Sequence, residues 1–177
     1  MTQLEIMGAN AKNASVFLRT AGSKKDDALL AIAKALREHS DEIIKANEID
    51  IENGKNAGLT ESLLDRLRLT PERINGMAEG VEQVAALADP IGNVLEGRTL
   101  KNGLNIEKVR VPMGVIGIIF EARPNVTSDA AALCLKAGSA VILRGGKEAI
   151  NSNLAVSEIM RNAVESVGFP KDCIALV

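Results

Sequence analysis

The alternation of apolar runs and helical segments in the last third of the chain constrains the fold most. "VIGIIF" (115–120), "AVILR" (140–144) and "CIALV" (173–177) have the length and β-branched content of strands that are covered on both faces. An alanine-rich helical segment ended by Gly138 and a second one from about residue 151 to Val167 lie between them. The order β-α-β-α-β predicts a parallel sheet with right-handed crossovers.

The first ninety or so residues have a different, helical pattern. Thr60 and Thr70 are typical helix caps, and Pro71 after the second one occupies the first helical position, where no N–H is needed. We therefore predict an α/β protein with a helical N-terminal segment (1–93), a β-ribbon (94–111) and the first half of a Rossmann-like parallel αβα sheet (112–177). Since such a sheet usually has more than three strands, we expect the last segment to be part of a larger domain.

The ribbon is predicted from the pair Asn102-Gly103, which lies between alternating residues in "VLEGRTLKNGLNIEKVRVP". This pair is the strongest short-range signal for a hairpin with a two-residue loop. A two-stranded ribbon has unpaired edges and little core of its own, so we expect it to lie on a partner subunit.

Composition excludes several classes of protein. The formal net charge of −2 argues against nucleic-acid binding. No apolar stretch is long enough to span a bilayer and no signal peptide is evident, so we expect a cytoplasmic protein without a membrane partner. His39 is the single histidine and the two cysteines, Cys134 and Cys173, have no paired spacing, so no metal site is expected. Both cysteines lie among apolar residues and are interpreted as core residues, not nucleophiles.

Two familiar nucleotide motifs are absent. Gly114 and Gly117 lie before or within the first strand of the parallel sheet, whereas the dinucleotide fingerprint needs glycines after it. "RGGK" has Val141 and Glu148 where a phosphate loop needs Gly and Ser or Thr around Lys147.

Position, in contrast, favours a ligand site. Ligands of open parallel sheets bind at the carboxyl ends of the strands, where "EARPNV" and "RGGK" stand. Arg144 and Lys147 are cations on a loop whose glycines, Gly145 and Gly146, let the backbone approach a ligand closely, which suits a ribose phosphate. A solvated basic turn is the alternative. The Asn125 amide is a candidate donor to a developing oxyanion, and a role in the turn or helix cap is the alternative. We expect the helix cap itself among Thr127, Ser128 and Asp129.

The stretch "VRVPMGVIGIIFEARPNVTSDAAALCLKAGSAVILRGGKEAINSN" resembles the gamma-glutamyl phosphate reductases, also called glutamate-5-semialdehyde dehydrogenases, of the aldehyde dehydrogenase superfamily. "KANEIDIENGKNAGLTESLLDRLRLTPERI" and "VEQVAALADPIGNVLEGRTLKNGLNIEKVRVP" extend the resemblance over nearly the whole chain. It implies NADPH-dependent reduction of L-glutamyl 5-phosphate to L-glutamate 5-semialdehyde and phosphate, a step of proline biosynthesis, through a cysteine thioester.

The resemblance also assigns roles to residues. Asn125 corresponds to the oxyanion-hole asparagine, Arg144 to a ribose-binding lysine, and Lys147 to a glutamate of NAD-preferring members, so that NADP(H) is the expected cofactor. The ribbon matches a segment that reaches a neighbouring subunit, which implies a homo-oligomer, and glutamate 5-kinase is a possible source of channelled substrate. The nucleophilic cysteine is expected outside this chain.

Two alternatives stay open at this point. The chain could act as a non-catalytic nucleotide-binding or assembly module, or it could belong to an acylating aldehyde dehydrogenase with another activated acid. "EARPNV" and "RGGKEA" argue against the second alternative.

Overall fold

The computed structural model describes residues 2–177 and begins with five helices. Thr60 and Thr70 cap the fourth and fifth helices through side-chain oxygens that accept hydrogen bonds from the N–H groups of Leu63 and Arg73. The helices are α1 (Gln3–Leu18), α2 (Lys24–Glu38), α3 (Ser40–Asn56), α4 (Glu61–Leu67) and α5 (Pro71–Ala86).

The ribbon consists of β1 (Val94–Thr99) and β2 (Asn105–Val109), which pair antiparallel with an irregularity between Val94 and Glu96. Its loop has three residues, not the predicted two. The N–H of Gly103 donates to the Leu100 carbonyl, and the N–H of Leu100 donates to the Leu104 carbonyl. Gly103 has φ +85°, so a type I turn is followed by a left-handed glycine, which is the usual three-residue hairpin loop. Every residue of both strands is exposed.

The predicted parallel sheet is confirmed. Its strands are β3 (Val115–Ile119), β4 (Ala140–Arg144) and β5 (Ile174–Leu176), in the order β3-β4-β5. They are connected by α6 (Asn125–Lys136) and α7 (Ile150–Ser166), and short 3-10 helices at Lys147–Ala149 and Lys171–Cys173 precede α7 and β5.

Helices lie on both faces of this sheet, but β3 has no buried residue and its Ile119 is 78% exposed, so the prediction that this strand is covered on both faces is wrong. Because the chain moves in one direction from β3 to β5, right-handed crossovers place α6 and α7 on the same face. α1 contacts all three strands from the other face, and α2 and α5 pack on the outside of α6 and α7. No helix within residues 2–177 has the length and apolar character needed to cross a membrane.

Buried charged groups connect the helices. Lys25 on α2 forms an ion pair with Asp89 at 2.8 Å and donates to the Lys136 carbonyl, while Lys136 on α6 pairs with Asp26 at 2.6 Å. Burial raises the pKa of Asp89, but the hydrogen bonds from Lys25 and the N–H of Ile91 and the charges of both lysines outweigh it, so this pKa lies below its ordinary value.

The start of α7 is held by a buried carboxylate of α3. Asp50 Oδ2 accepts hydrogen bonds from the N–H of Ser152 at 2.7 Å and its hydroxyl at 2.6 Å, and Oδ1 accepts from the N–H of Asn151 at 3.2 Å. A negative charge at this end also complements the helix dipole. The carboxyl edge of the sheet, from which α7 departs, is therefore rigidly connected to the N-terminal helices.

Candidate functional site

The loops that follow β3 and β4 lie side by side at the carboxyl edge of the sheet. Ile119 at the end of β3 is paired with Arg144 at the end of β4. Directly after them, the N–H of Phe120 donates to the Arg144 carbonyl at 3.0 Å. The structure thus brings "EARPN" and "RGGK" to one edge, where ligands of parallel sheets bind.

Asn125 is the first residue of α6, and its side chain is exposed. The cap position is occupied by Pro124, three to five residues before the predicted cap at Thr127, Ser128 or Asp129, so that prediction is wrong. Proline is favoured at a helix start because it lacks the N–H that would have no partner there.

The Asn125 amide is held by a carboxyl group one turn along the helix. Its Nδ2 donates to Asp129 Oδ2 at 3.0 Å. Burial raises the pKa of Asp129, although the hydrogen bonds from Asn125 and Ser128 act in the other direction. The contact orients the amide, whose second N–H remains available to another acceptor. Its role as an oxyanion donor stays a prediction.

In the loop after β4, side chains of other residues occupy the space next to Gly145 and Gly146 where a Cβ atom would lie. A Cβ on Gly145 would be 2.1 Å from Asn153 Nδ2 and 3.2 Å from a ring carbon of Phe120. A Cβ on Gly146 would be 2.1 Å from a carboxylate oxygen of Glu148. Neither glycine has a positive φ. The close approach of buried Asn153 requires glycine at 145, whereas at 146 the flexible end of Glu148 can move aside.

Asn153 lies directly beneath this loop and is completely buried. Its Oδ1 accepts a hydrogen bond from the hydroxyl of Thr127 at 3.0 Å, which connects α7 to α6. Its Nδ2 has no hydrogen-bond partner among residues 2–177. A buried donor without a partner is unusual in proteins, and here it lies under the loop predicted to hold a ribose phosphate.

The sequence-predicted site residues are divided between two hollows. Lys147, with Glu148 and Glu121, lines a hollow of about 440 Å³ whose other wall is the end of α3. Asn125, with Arg123, lines another of about 390 Å³. The "EARPN" loop contributes to both hollows, while the exposed Arg144 at the end of β4 lines neither.

Neither cysteine is suited to nucleophilic attack. Both side chains are buried and neither lines these two hollows. Burial raises the pKa of Cys134 to about 11. Burial together with the charge of Asp172 raises the pKa of Cys173 to about 12, against the effect of a backbone hydrogen bond. Since the thiolate is the reactive form, both are inert near neutral pH.

Three contributors to the site were missed in the sequence. Arg123 stands in the quoted "EARPN" and could have been found from its nearness to Asn125. Asp129 is four residues after Asn125, a helical spacing that is recognisable once the helix is known to begin there. Asn153 contacts the loop from α7, and no local pattern indicates such a contact.

Among residues 2–177, no three His, Cys, Asp or Glu side chains come together as metal ligands.

Comparison with known proteins identifies the family. Residues 2–177 match the family model described as "Aldehyde dehydrogenase family". The chain belongs to the aldehyde dehydrogenase family. Its members are oxidoreductases, and the predicted aldehyde dehydrogenase-like fold is thereby confirmed.

Within this family, similar relatives carry the name gamma-glutamyl phosphate reductase, which confirms the resemblance found in the sequence. One from Clostridium beijerinckii is 52% identical over an alignment of 178 positions that covers 100% of this chain and 43% of the relative. A crystal structure of the reductase from Thermotoga maritima has TM-score 0.97 at 40% identity, covering 99% of this chain and 43% of that one. The Saccharomyces cerevisiae reductase has TM-score 0.93 at 35% identity, covering 100% and 46%.

The chain therefore spans less than half the length of these aldehyde dehydrogenase relatives.

Proposed function

We propose that these residues form part of a gamma-glutamyl phosphate reductase, which uses NADPH to reduce L-glutamyl 5-phosphate to L-glutamate 5-semialdehyde and phosphate in proline biosynthesis. The observation that carries the proposal is the 52% identity, over the whole chain, to a relative of that name. The adjacent loops at the carboxyl edge of the sheet support it, because one offers an amide donor and the other a cationic glycine turn.

In this reaction a cysteine thiolate attacks the acyl carbon, the bond from that carbon to the phosphate oxygen breaks, and phosphate leaves with the electron pair. Asn125 would donate its free amide N–H to the oxygen of the tetrahedral intermediate, with Asp129 keeping the amide in place. Because Cys134 and Cys173 are buried, neutral thiols, we assign the attack to a cysteine elsewhere in the longer protein.

The loop Arg144–Lys147 fits the adenosine ribose of NADP. The glycines at 145 and 146 add no side chain of their own to the loop, and Lys147 supplies a positive charge beside the hollow next to α3. NADPH supplies the hydride when it is bound. Lys147 would bind the 2′-phosphate and Arg144 the ribose, the roles that the resemblance to the superfamily implies for them.

The activity is best tested in the reverse direction, as phosphate-dependent reduction of NADP by glutamate semialdehyde. A protein of the relatives' full length that carries this sequence should catalyse it, and the 177-residue chain alone should not. In the long protein, Asn125→Ala should lower kcat about 10²–10³-fold, the usual cost of losing one oxyanion donor.

The cysteines provide the matched control for this assay. Cys134→Ala and Cys173→Ala should leave kcat within about twofold where the variants fold, because the thiols are buried and protonated. A loss of acyl transfer in either folded variant, or activity of the short chain, would contradict the assignment of the nucleophile.

The cofactor assignment is tested by Lys147→Glu in the long protein. A carboxylate repels the 2′-phosphate and accepts hydrogen bonds from free ribose hydroxyls, so the ratio of kcat/KM for NADP over NAD should fall at least about tenfold. Lys171→Glu, a substitution of a lysine before β5, should leave the ratio unchanged. An unchanged ratio in Lys147→Glu would refute the assignment.

We further propose that the reductase is a cytoplasmic homo-oligomer whose ribbon (94–111) lies on a neighbouring subunit. Every residue of the two ribbon strands is exposed, so the strands have no buried face within residues 2–177. Its acyl phosphate substrate must come from a kinase that phosphorylates the side-chain carboxylate of glutamate, glutamate 5-kinase, and direct transfer between the two enzymes would protect this labile compound.

A further inference from the structure

The hollow that contains Asn125 is lined by four arginines and two aspartates, Asp65 and Asp129, among other residues. It has a volume of about 390 Å³ and lies between α4, α5 and the start of α6. Arg66 and Arg68 come from the end of α4 and the residue after it, and Arg123 comes from the loop before α6. Arg73 on α5 completes the set. Arginines outnumber carboxyl groups in this lining, and such an excess of positive charge around one concave surface favours an anion.

Three of these four arginines have no internal partner. Arg73 donates to Asp65 Oδ1 at 2.9 Å and to the Arg68 carbonyl at 2.8 Å, which is a structural role. Arg66, Arg68 and Arg123, in contrast, form no side-chain hydrogen bond or ion pair with any residue in 2–177. Their donors are free for a ligand, and guanidinium groups bind phosphate and carboxylate oxygens in a defined geometry.

The segment that carries Arg68 is held rigidly. Asn47 on α3 is buried; its Nδ2 donates to the Leu67 carbonyl at 2.8 Å and its Oδ1 accepts from the N–H of Leu69 at 2.8 Å. The backbone on both sides of Arg68 is therefore fixed before any ligand arrives. A fixed backbone lowers the entropy that is lost when a side chain binds an anion.

We propose that Arg66, Arg68 and Arg123 bind the phosphoryl group of the acyl phosphate, an inference that rests on the proposed function. Arg123 is two residues before Asn125, in the loop that leads into α6, and lines the same hollow. The phosphoryl group is joined through the bridging oxygen to the acyl carbon, whose carbonyl oxygen Asn125 would contact, whereas the α-carboxylate is at the far end of the substrate. The guanidinium groups also stabilise the charge that phosphate carries as it leaves.

The reverse reaction separates this subsite from the rest of the substrate, because phosphate and semialdehyde then bind as two molecules. In the long protein, Arg66→Gln, Arg68→Gln and Arg123→Gln should each raise KM for phosphate about 10- to 100-fold. KM for glutamate semialdehyde and for NADP should stay within about twofold. Arg19→Gln, after the end of α1 and outside the hollow, is the matched control.

A second variant fills the hollow without removing a charge. Gly76 on α5 lines it, and a side chain added there meets no atom within 4 Å. Gly76→Leu should therefore fold, because leucine is a better helix former than glycine, and should raise KM for phosphate. Gly8→Leu, at an equally open position on α1, should not.

The outcomes decide between the assignments. A rise in KM for the semialdehyde with KM for phosphate unchanged would overturn the proposal and assign the arginines to the α-carboxylate. If KM for phosphate and KM for the semialdehyde are both unchanged, the hollow is not part of the substrate site. If the parent protein shows no phosphate-dependent reaction, the proposed function fails. In that case, calorimetric titration of the parent protein and the three arginine variants with inorganic phosphate tests the hollow separately. Binding that is lost in the variants supports the phosphate site, and absence of binding in the parent contradicts it.

Discussion

Gly145 and Gly146 are neighbours in one loop, but an added methyl group should have different consequences at the two positions. At Gly145 it would collide with the amide of Asn153, which is buried and hydrogen-bonded to Thr127. At Gly146 it would meet the end of the Glu148 side chain, which can move toward solvent. We predict that Gly145→Ala lowers the free energy of unfolding by about 1–3 kcal/mol, the usual cost of overpacking.

Gly146→Ala is the matched control and should change the free energy of unfolding by less than about 0.5 kcal/mol. Urea unfolding followed by circular dichroism measures both values. Equal effects of the two substitutions would show that Asn153 does not restrict the loop.

The residue scale also shows where sequence reasoning ends. "RGGK" at a strand end was sufficient to predict a ligand loop, and the interpretation was that glycine lets the backbone approach the ligand. The structure adds a different cause, because Asn153 and Glu148 occupy the space of the missing side chains. Asn153 is reached only after α7 has folded back on the sheet, so no spacing along the chain could indicate it.

At the scale of single elements, the start of α7 depends on Asp50. Substitution with alanine would leave the N–H groups of Asn151 and Ser152 and the buried Ser152 hydroxyl without this acceptor. We predict that Asp50→Ala lowers the free energy of unfolding by about 2–4 kcal/mol, from the loss of a helix cap and of buried charge-assisted hydrogen bonds.

Glu52→Ala, two residues along α3 at an exposed position, should change stability by less than about 0.5 kcal/mol. Hydrogen exchange should in addition show faster exchange in the first turn of α7 for Asp50→Ala. Protection equal to that of the parent chain would mean that the carboxylate is not the cap.

Elements with a strong local signal are predicted correctly from the sequence, but the residues at which they begin and end are predicted less accurately. The apolar runs of β3 and β4 and the caps at Thr60 and Thr70 have local causes, and the structure has them at these positions. The ribbon loop was predicted with two residues because Asn-Gly favours that turn, but pairing of Leu100 with Leu104 extends it to three. α6 begins at Asn125 because the backbone of Pro124 is already helical. The side chains of "VTSD" are typical of helix caps and led to the prediction of a later start.

At the scale of the whole molecule, the ion pair of Lys25 and Asp89 should make stability depend on pH. The pKa of Asp89 is lower in the folded chain than its ordinary value, so its contribution is present above that ordinary pKa, about 4, and is lost as the pH falls through the folded pKa. Asp89→Asn should therefore be less stable than the parent by about 1 kcal/mol at pH 7, a value reduced by the partial exposure of the pair.

The difference in free energy of unfolding between Asp89→Asn and the parent should stay constant from about pH 7 to 5 and shrink below about pH 4. Glu48→Gln, at an exposed position on α3, should show no such dependence. Guanidinium unfolding at a series of pH values provides the measurement. A difference that grows as the pH falls would mean that the folded chain raises the pKa of Asp89 instead of lowering it.

The ribbon is the part of the molecule whose stability should depend on a second copy. Leu95 and Ile106 are exposed to 47% and 39%, so neither contributes to the core of its own chain. If the ribbon lies on a neighbouring subunit, Leu95→Glu and Ile106→Glu place a charge in that contact and should weaken the oligomer of the long protein at least about tenfold. The melting temperature of the 177-residue chain should hardly change.

Leu30→Glu on α2, where leucine is 51% exposed, is the control and should leave the oligomer intact. Sedimentation over a range of concentrations distinguishes the variants, and equal dissociation of all three, or of none, would exclude the ribbon as the contact.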